Sequence, residues 1–295
     1  MIDSPASESF NPARALPEEK RISPLVWMNL ICLDAPLVAV SWQWLFARCF
    51  HAPIPRGATA ALFLTAWFVY LADRFGDSVS LDRHAPTSLR QRVCLNHVRV
   101  WLVGVAVIAL ADLLVVATQL DRMSIVVGGS VGAFAVAYLL INRLRPSSWR
   151  VLPMKEISIG FIFAAGTMVG LLRNLTTSAL PVWLSFACLC SLNCISIALW
   201  ERELDSAQDR ISIATAFPRI EPYVAPVLAF ICVTNVVLAG AGSATGVIHL
   251  SVALSAFLLG AVHAWRNSLP PDVRTALADL VLLTPVAALA VTTFA

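Results

Sequence analysis

Long apolar runs separated by short polar connections set the pattern of this chain. Nine runs stand out, at approximately 25 to 46, 57 to 76, 99 to 119, 123 to 142, 155 to 173, 181 to 203, 222 to 242, 245 to 265 and 274 to 294. Each is close to the ~20 residues a helix needs to cross the hydrocarbon core of a bilayer. The pattern predicts an all-α membrane protein, a bundle of nine transmembrane helices forming one domain over residues 24–295. Residues 1–23 are polar, contain Pro5, Pro12 and Pro17, and end in Arg14, Lys20 and Arg21. They read as a disordered tail. The first apolar run is long and lacks a small-residue cleavage pattern, so it is expected to stay as a membrane helix and not to be removed as a signal peptide.

Composition sharpens this reading. Hydrophobic residues make up 58% of the chain and charged residues 13%, with a mean hydropathy of +0.77. That balance excludes an ordinary soluble domain. Several of the 9 tryptophans, Trp27, Trp101, Trp149, Trp183, Trp200 and Trp265, sit near segment ends, where interfacial anchors are expected. The basic residues are distributed unevenly. With the amino terminus inside, 17 of the 21 fall in connections on the inner side, and only Arg48, Arg56, Arg122 and Arg173 on the other. The positive-inside rule then makes the amino terminus cytoplasmic and the carboxyl terminus external, in a bacterial inner membrane or its equivalent. The net charge of +3 is small. Nothing in it calls for nucleic acid or for an obligate protein partner. The 7 cysteines form no CxxC pair and read as small apolar packing residues.

Two acidic stretches interrupt the apolar pattern. The second run ends in Val69-Tyr70-Leu71-Ala72-Asp73-Arg74-Phe75-Gly76-Asp77, and the sixth in Glu201-Arg202-Glu203-Leu204-Asp205-Ser206-Ala207-Gln208-Asp209. On a helix, residues four apart share a face, so Asp73 with Asp77 and Asp205 with Asp209 each aim two carboxylates at one volume. Like charges so placed repel, and near lipid depth a carboxylate is costly. A bound cation offsets both costs. Hard oxygen ligands suit Mg2+, which is held by one or two carboxylates together with substrate phosphates. Two convergent pairs would make a diphosphate clamp. Both lie at the same predicted end of their helices, and the offset from Asp73 to Asp205 equals that from Asp77 to Asp209, 132 residues. A four-helix pseudo-repeat, with the ninth helix extra, would produce this spacing. On helical spacing Glu201, Asp205 and Asp209 form one stripe, with Glu203 pointing to solvent.

The connections on the acidic side are rich in arginine: Arg83, His84, Arg90 and Arg92 after Asp77, Arg143, Arg145, Arg150 and Lys155 between the fourth and fifth runs, and Arg210 and Arg219 after Asp209. Cationic side chains around carboxylate-held metal suit an anionic, phosphate-bearing substrate. The positive-inside rule accounts for many of the same arginines without any substrate.

The chain resembles the UbiA superfamily of intramembrane prenyltransferases, nine-helix bundles with an Asn-x3-Asp-x3-Asp motif on helix two and an Asp-x3-Asp motif on helix six. Asp73 and Asp77 match the two aspartates of the first motif, and Asp205 and Asp209 match the second. Tyr138-Leu139-Leu140-Ile141-Asn142-Arg143 is similar to the family's Tyr-x3-Lys-Arg pattern, with Asn142 where lysine is usual. Val69 stands at the position of the motif asparagine and has no group to ligate a metal; Glu201 could supply an oxygen in its place. The resemblance implies catalytic residues Asp73, Asp77, Asp205 and Asp209, metal ligands among these and Glu201, and substrate contacts from Tyr138, Arg143, Lys155, Arg74 and Arg210. It implies Mg2+ as cofactor, an isoprenyl diphosphate and a lipophilic acceptor as substrates, and lipid as surroundings. In that chemistry the metal and cationic side chains absorb charge as the allylic C–O bond breaks, and an acceptor carbon attacks the sheltered cation.

Two other readings fit the residues: a membrane terpene cyclase of the same fold, in which the cation closes on itself, and a non-enzymatic membrane protein that binds or transports cations. A transporter predicts acids near mid-membrane along a path. Asp34, Asp112 and Asp279 are intramembrane acids with no four-spaced partner, and Asp34 and Asp279 are expected to join helices by hydrogen bonds or an internal salt bridge. His249 and His263 read as packed or interfacial side chains. Pro36, Pro226 and Pro285 are expected to kink their helices, and Gly128, Gly129, Gly132, Gly160, Gly166 and Gly170 to allow close helix contact.

Overall fold

The computed structural model describes residues 23–82, 85–151, 154–241 and 245–294. The predicted tail, apart from Ser23, and the loop residues Arg83 and His84 lie outside these. All regular structure among the described residues is helical. The first apolar run forms two helices, α1 (Pro24–Leu30) and α2 (Asp34–Cys49), which meet at 91°. The break falls at Cys32, whose backbone is left-handed with φ 58°. Pro36 lies beyond it in the first turn of α2, where a missing N–H costs nothing. The expected single helix kinked at Pro36 is thus a sharp turn before it.

Helix α3 (Ala58–Val79) begins after Gly57, whose φ of 77° suits glycine, and stays helical through both Asp73 and Asp77. A short helix α4 (Leu89–Asn96) follows, opened by a capping box in which Ser88 and Gln91 bond reciprocally. Then come α5 (Val98–Gln119) and α6 (Arg122–Leu144), the latter capped by Asp121, which accepts the Ser124 N–H at 2.8 Å. After the single turn α7 (Ser148–Val151) come α8 (Lys155–Met168), extended by 3-10 turns to Asn174, and α9 (Ala179–Trp200). Two short helices, α10 (Arg202–Ala207) and α11 (Ile213–Ala216), lead into α12 (Glu221–Gly240) and α13 (Gly246–Ala264). The last run is split into α14 (Pro271–Leu280) and α15 (Thr284–Phe294), with Pro285 in the first turn of α15.

Among the described residues, seven helices are long and apolar enough to span a bilayer, and the bent α1–α2 pair raises this to eight at most. The remaining predicted segment, the second, is α3, which has 22 residues but carries Asp73, Arg74 and Asp77 in its last third. These charges keep it out of that count. The chain is an integral membrane protein by the number of such helices.

The tightest packing joins α2, α8, α9, α12 and α13. Its centre is an aromatic stack of Trp42 on Phe186, ring centroids 4.1 Å apart, with Phe46 against both. Gly160 lets α8 approach α9 so closely that a Cβ there would lie 2.4 Å from the Ser191 backbone nitrogen. By contrast, α5 and α6 expose most of their apolar side chains, Val103, Leu110, Leu113, Phe134 and Leu140 among them, as lipid-facing helices do. Trp27 and Trp265 are exposed at segment ends as anchors should be, whereas Trp101 and Trp149 are packed inside. His249 and His263 are buried and bonded to Asn235 and Trp200. The cysteines are unpaired.

Candidate active site

A cavity of about 690 Å3 runs along α3 between α5, α6, α8 and α9. Most of its wall is apolar, from Ala58 and Leu62 at the start of α3 to Val69 and Phe163. At the other end the wall is charged. Asp73, Arg74 and Asp77 of α3, Lys155 and Glu156 at the start of α8, Glu201, Asp205 and Arg210 at the end of α9 and beyond, and Tyr138 of α6 all line it. The two acidic stretches therefore meet at one volume, although more than a hundred residues separate them.

Their local geometry differs. Asp73 and Asp77 share a helix face because α3 is unbroken. In the second stretch α9 ends at Trp200, α10 ends at Ala207, and Asp209 adopts a left-handed backbone with φ 50°. Asp205 and Asp209 are thus not a turn apart on one helix. The Asp209 side chain is 97% exposed, stands 3.7 Å from Arg150, and is not part of the cavity wall. The two motifs are not structural copies at this point. Arg143 is also outside: it is exposed and donates to the Gly76 carbonyl at 3.5 Å. Arg143, expected from the resemblance as a substrate contact, is therefore not among the residues of the cavity wall. Glu203 is exposed, as its spacing predicts.

Arginines answer several of the carboxylates. Arg210 is ion-paired with Asp77, and Arg90 with Glu201. Glu201, expected as a substitute metal ligand, lines the cavity and is ion-paired with Arg90. Arg90 was legible only as one more basic residue of its connection, since nothing in the spacing ties position 90 to 201. Gln208 lies within the second acidic stretch, and nothing in its spacing marks a role. It accepts the Asp82 N–H at 3.0 Å and donates to the carbonyls of Asp82 and Pro86, both at 3.1 Å, so it stitches the loop after α3 to the end of α10. Glu156 accepts the Ile213 N–H at 3.0 Å and fixes the segment that carries Arg210 and Ser212.

Several residues of the cavity wall carry a buried oxygen without a hydrogen-bond partner: Asp73 Oδ1, Glu156 Oε2 and the Tyr138 hydroxyl. Tyr138 is held against Trp149, ring centroids 5.9 Å apart. Burial pushes the Asp205 carboxyl up to about 6, against the pull of nearby Arg210. Among the described residues, no three of His, Cys, Asp and Glu come together as a metal site. The oxygens present, Asp73 with its unpartnered atom, Asp77 and Asp205, fit Mg2+ held jointly with a diphosphate. They do not fit a metal caged by protein alone.

The glycines of α6 and α8 do more than pack. Gly129 and Gly132 line the cavity with open space where a Cβ would point, and Gly128 and Gly166 line it too. They widen the apolar part of the cavity. Deeper in the same wall, Thr65 donates to Asp112 Oδ2 at 2.8 Å, leaving Asp112 Oδ1 without a partner.

No family profile matches the sequence, and no curated protein matches it. Among solved structures, the chain is similar to the apo structure of a UbiA homolog from Aeropyrum pernix K1, with a TM-score of 0.59 at 16% identity. The likeness covers 88% of this chain and 98% of that one. It is a likeness of architecture, and by architecture this chain is a UbiA-fold intramembrane protein.

Proposed function

We propose that the protein is a Mg2+-dependent prenyltransferase of the UbiA type, which moves an isoprenyl group from an isoprenyl diphosphate to a lipophilic acceptor of the aromatic or quinone-precursor class. The observation that carries this reading is the polarity of one cavity: a mostly apolar wall that gives way at one end to carboxylates and cations. Such a cavity suits a ligand with an anionic head and a hydrocarbon tail, as an isoprenyl diphosphate has.

In this reading Asp73, Asp77 and Asp205 would hold Mg2+ together with the diphosphate, while Lys155, Arg74 and Arg210 neutralise the remaining charge. The metal supplies Lewis acidity that makes pyrophosphate a better leaving group. The chain's own part is to orient the head group through these cations and to keep water from the allylic carbon with the apolar wall. Tyr138, whose hydroxyl is unpartnered at the cavity mouth, is positioned to donate to a phosphate oxygen. The acidic end faces the cytoplasm if the charge bias sets the orientation.

The test is product analysis with a radiolabelled isoprenyl diphosphate, with and without a panel of aromatic acceptors. Prenylated acceptor that requires Mg2+ supports the reading. A hydrocarbon or alcohol released without acceptor favours the terpene-cyclase alternative, for which Val69 speaks, since an apolar side chain lines the wall where the family has asparagine. No consumption of diphosphate returns the cavity to the cation-binding reading, because Asp112 and Asp279 also face it.

A further inference from the structure

Below the charged mouth, the wall made by α9 and α14 carries a second polar group that the diphosphate reading leaves unused. Asn193 and Asp279 both line the cavity there. Asn193 donates its amide to Asp279 Oδ1 at 2.8 Å. Asn29, at the end of α1, donates to Asp279 Oδ2 at 3.0 Å and to Asp34 Oδ2 at 2.6 Å, and Asp34 Oδ1 takes the Ala35 N–H at 2.9 Å. The 91° turn between α1 and α2 is what brings Asn29 and Asp34 together against α14. Among the described residues no ion pair involves either carboxyl group; Arg74 reaches only the Asn29 carbonyl, at 3.0 Å.

One atom of the set is left over. Asn193 is 4% exposed, and its Oδ1 is buried without a hydrogen-bond partner. A buried amide oxygen in that state favours any ligand that brings a donor. The Arg74 bond to Asn29 ties this polar set to the turn of α3 that carries Asp73, so it stands beside the charged end of the cavity. The set offers acceptors and no donor to the cavity. It therefore discriminates for a hydroxyl or N–H and against an ether or ester of the same shape.

We propose that Asn193 and Asp279 form the acceptor subsite: Asn193 Oδ1 takes a hydrogen bond from the acceptor's hydroxyl, and the Asp279 carboxyl, backed by Asp34, receives the proton that prenylation releases. This rests on the prenyl-transfer reading. The allylic C–O bond breaks and its electron pair leaves with pyrophosphate. The hydroxyl, polarised toward Asn193, enriches the acceptor carbon that donates an electron pair to the allylic carbon. The new bond forms, and the proton displaced from that carbon passes to Asp279.

The experiment uses the full chain in lipid nanodiscs, a radiolabelled isoprenyl diphosphate, its non-reactive thiodiphosphate analogue as a binding probe, and phenols paired with their methyl ethers. Wild-type protein should prenylate the phenols and discriminate against the ethers. Asp279→Asn should bind the thiodiphosphate as wild type does while losing about 100-fold in product formation. Asn193→Leu should raise KM for the phenol about tenfold and reduce discrimination against the ether, with kcat changed less. If Asp279→Asn does not insert as a folded protein, the Asn193→Leu comparison alone decides. Wild-type kinetics in both variants, or equal use of phenol and ether by wild type, overturns the subsite. Hydrocarbon formed with no acceptor also overturns it, yet leaves diphosphate ionisation standing. Failure of wild-type protein to consume any isoprenyl diphosphate overturns the prenyl-transfer reading itself.

Discussion

Asp73 and Asp209 show how differently two aspartates of matching motifs can end up. Asp73 is buried at the cavity with one oxygen unpartnered, whereas Asp209 is exposed beside Arg150. Asp73→Asn is expected to lower diphosphate consumption by about two to three orders of magnitude, the usual scale for removing one electrostatic contact to a developing charge. Asp209→Asn should leave the rate near wild type. Steady-state assays of the two purified variants check both. Asp205 gives a pH prediction. Its carboxyl is raised to about 6, so it is neutral below that pH, and to hold Mg2+ as proposed it must be ionised. Affinity for Mg2+ with pyrophosphate, measured by calorimetry, should fall as pH drops through about 6, and Asp205→Asn should flatten that dependence. The stability of the metal-free protein runs in the opposite sense. An acid raised from 3.8 to about 6 holds its proton in the folded state longer than in the unfolded one. Its contribution therefore weakens stability as pH rises across that window and is constant above it. The four-residue arithmetic was sound for Asp73 and Asp77 because α3 continues to Val79. It failed for Asp209 because α10 stops at Ala207 with no glycine or proline to announce the end.

The elements were legible where length alone decides. Helices α5, α6, α9, α12 and α13 begin and end within a few residues of the apolar runs, since a run of about twenty such residues has few alternatives in lipid. Bends were not legible. Ile31, Cys32 and Leu33 are as apolar as their neighbours, so nothing marks the left-handed turn that divides α1 from α2 and assembles the Asn29–Asp34–Asp279 cluster. Nor did spacing distinguish a glycine that packs, Gly160, from those that leave room, Gly129 and Gly132, because the distinction depends on what stands opposite. The cavity wall along α3 carries a prediction of its own. Thr65 is two turns before Asp73, about 12 Å along the axis, and its bond to Asp112 puts a polar collar on an otherwise apolar wall. In the prenyl-transfer reading, a longer tail would lie along the part of the wall where Asp112 keeps one oxygen without a partner. Asp112→Leu should shift preference toward longer isoprenyl diphosphates by about tenfold in kcat/KM, read by competition between donors of two chain lengths.

Across the whole molecule, the bundle divides into a tightly packed part around Trp42 and Phe186 and a looser, lipid-exposed pair, α5 and α6, with the cavity between them. Contacts that close the charged end come from far apart in sequence: Arg90 with Glu201, Arg210 with Asp77, and Gln208 with the loop after α3. Sequence reasoning placed the acidic stretches at one end but could not pair them, because a salt bridge between remote loops leaves no periodic trace. Glu201→Gln would leave Arg90 without its carboxylate in a half-buried position. A loss of about 3 kcal/mol is expected, visible as a lower unfolding temperature in detergent, with Arg90→Gln in the same background restoring part of it.

If the protein transfers prenyl groups as proposed, the Asp77–Arg210 bridge has a consequence for how its substrate would be admitted. With that aspartate already answered by a guanidinium, a lone magnesium ion meets a rival of its own sign and gains little by displacing it. A diphosphate arriving with its metal offers the arginine a new partner and the aspartate a new counter-ion in a single exchange. Free magnesium should therefore bind feebly and the metal–diphosphate complex tightly, the two acting as one key. Titrating either component alone, then both, would reveal that synergy, and Arg210→Gln should erode it by letting the bare ion in first.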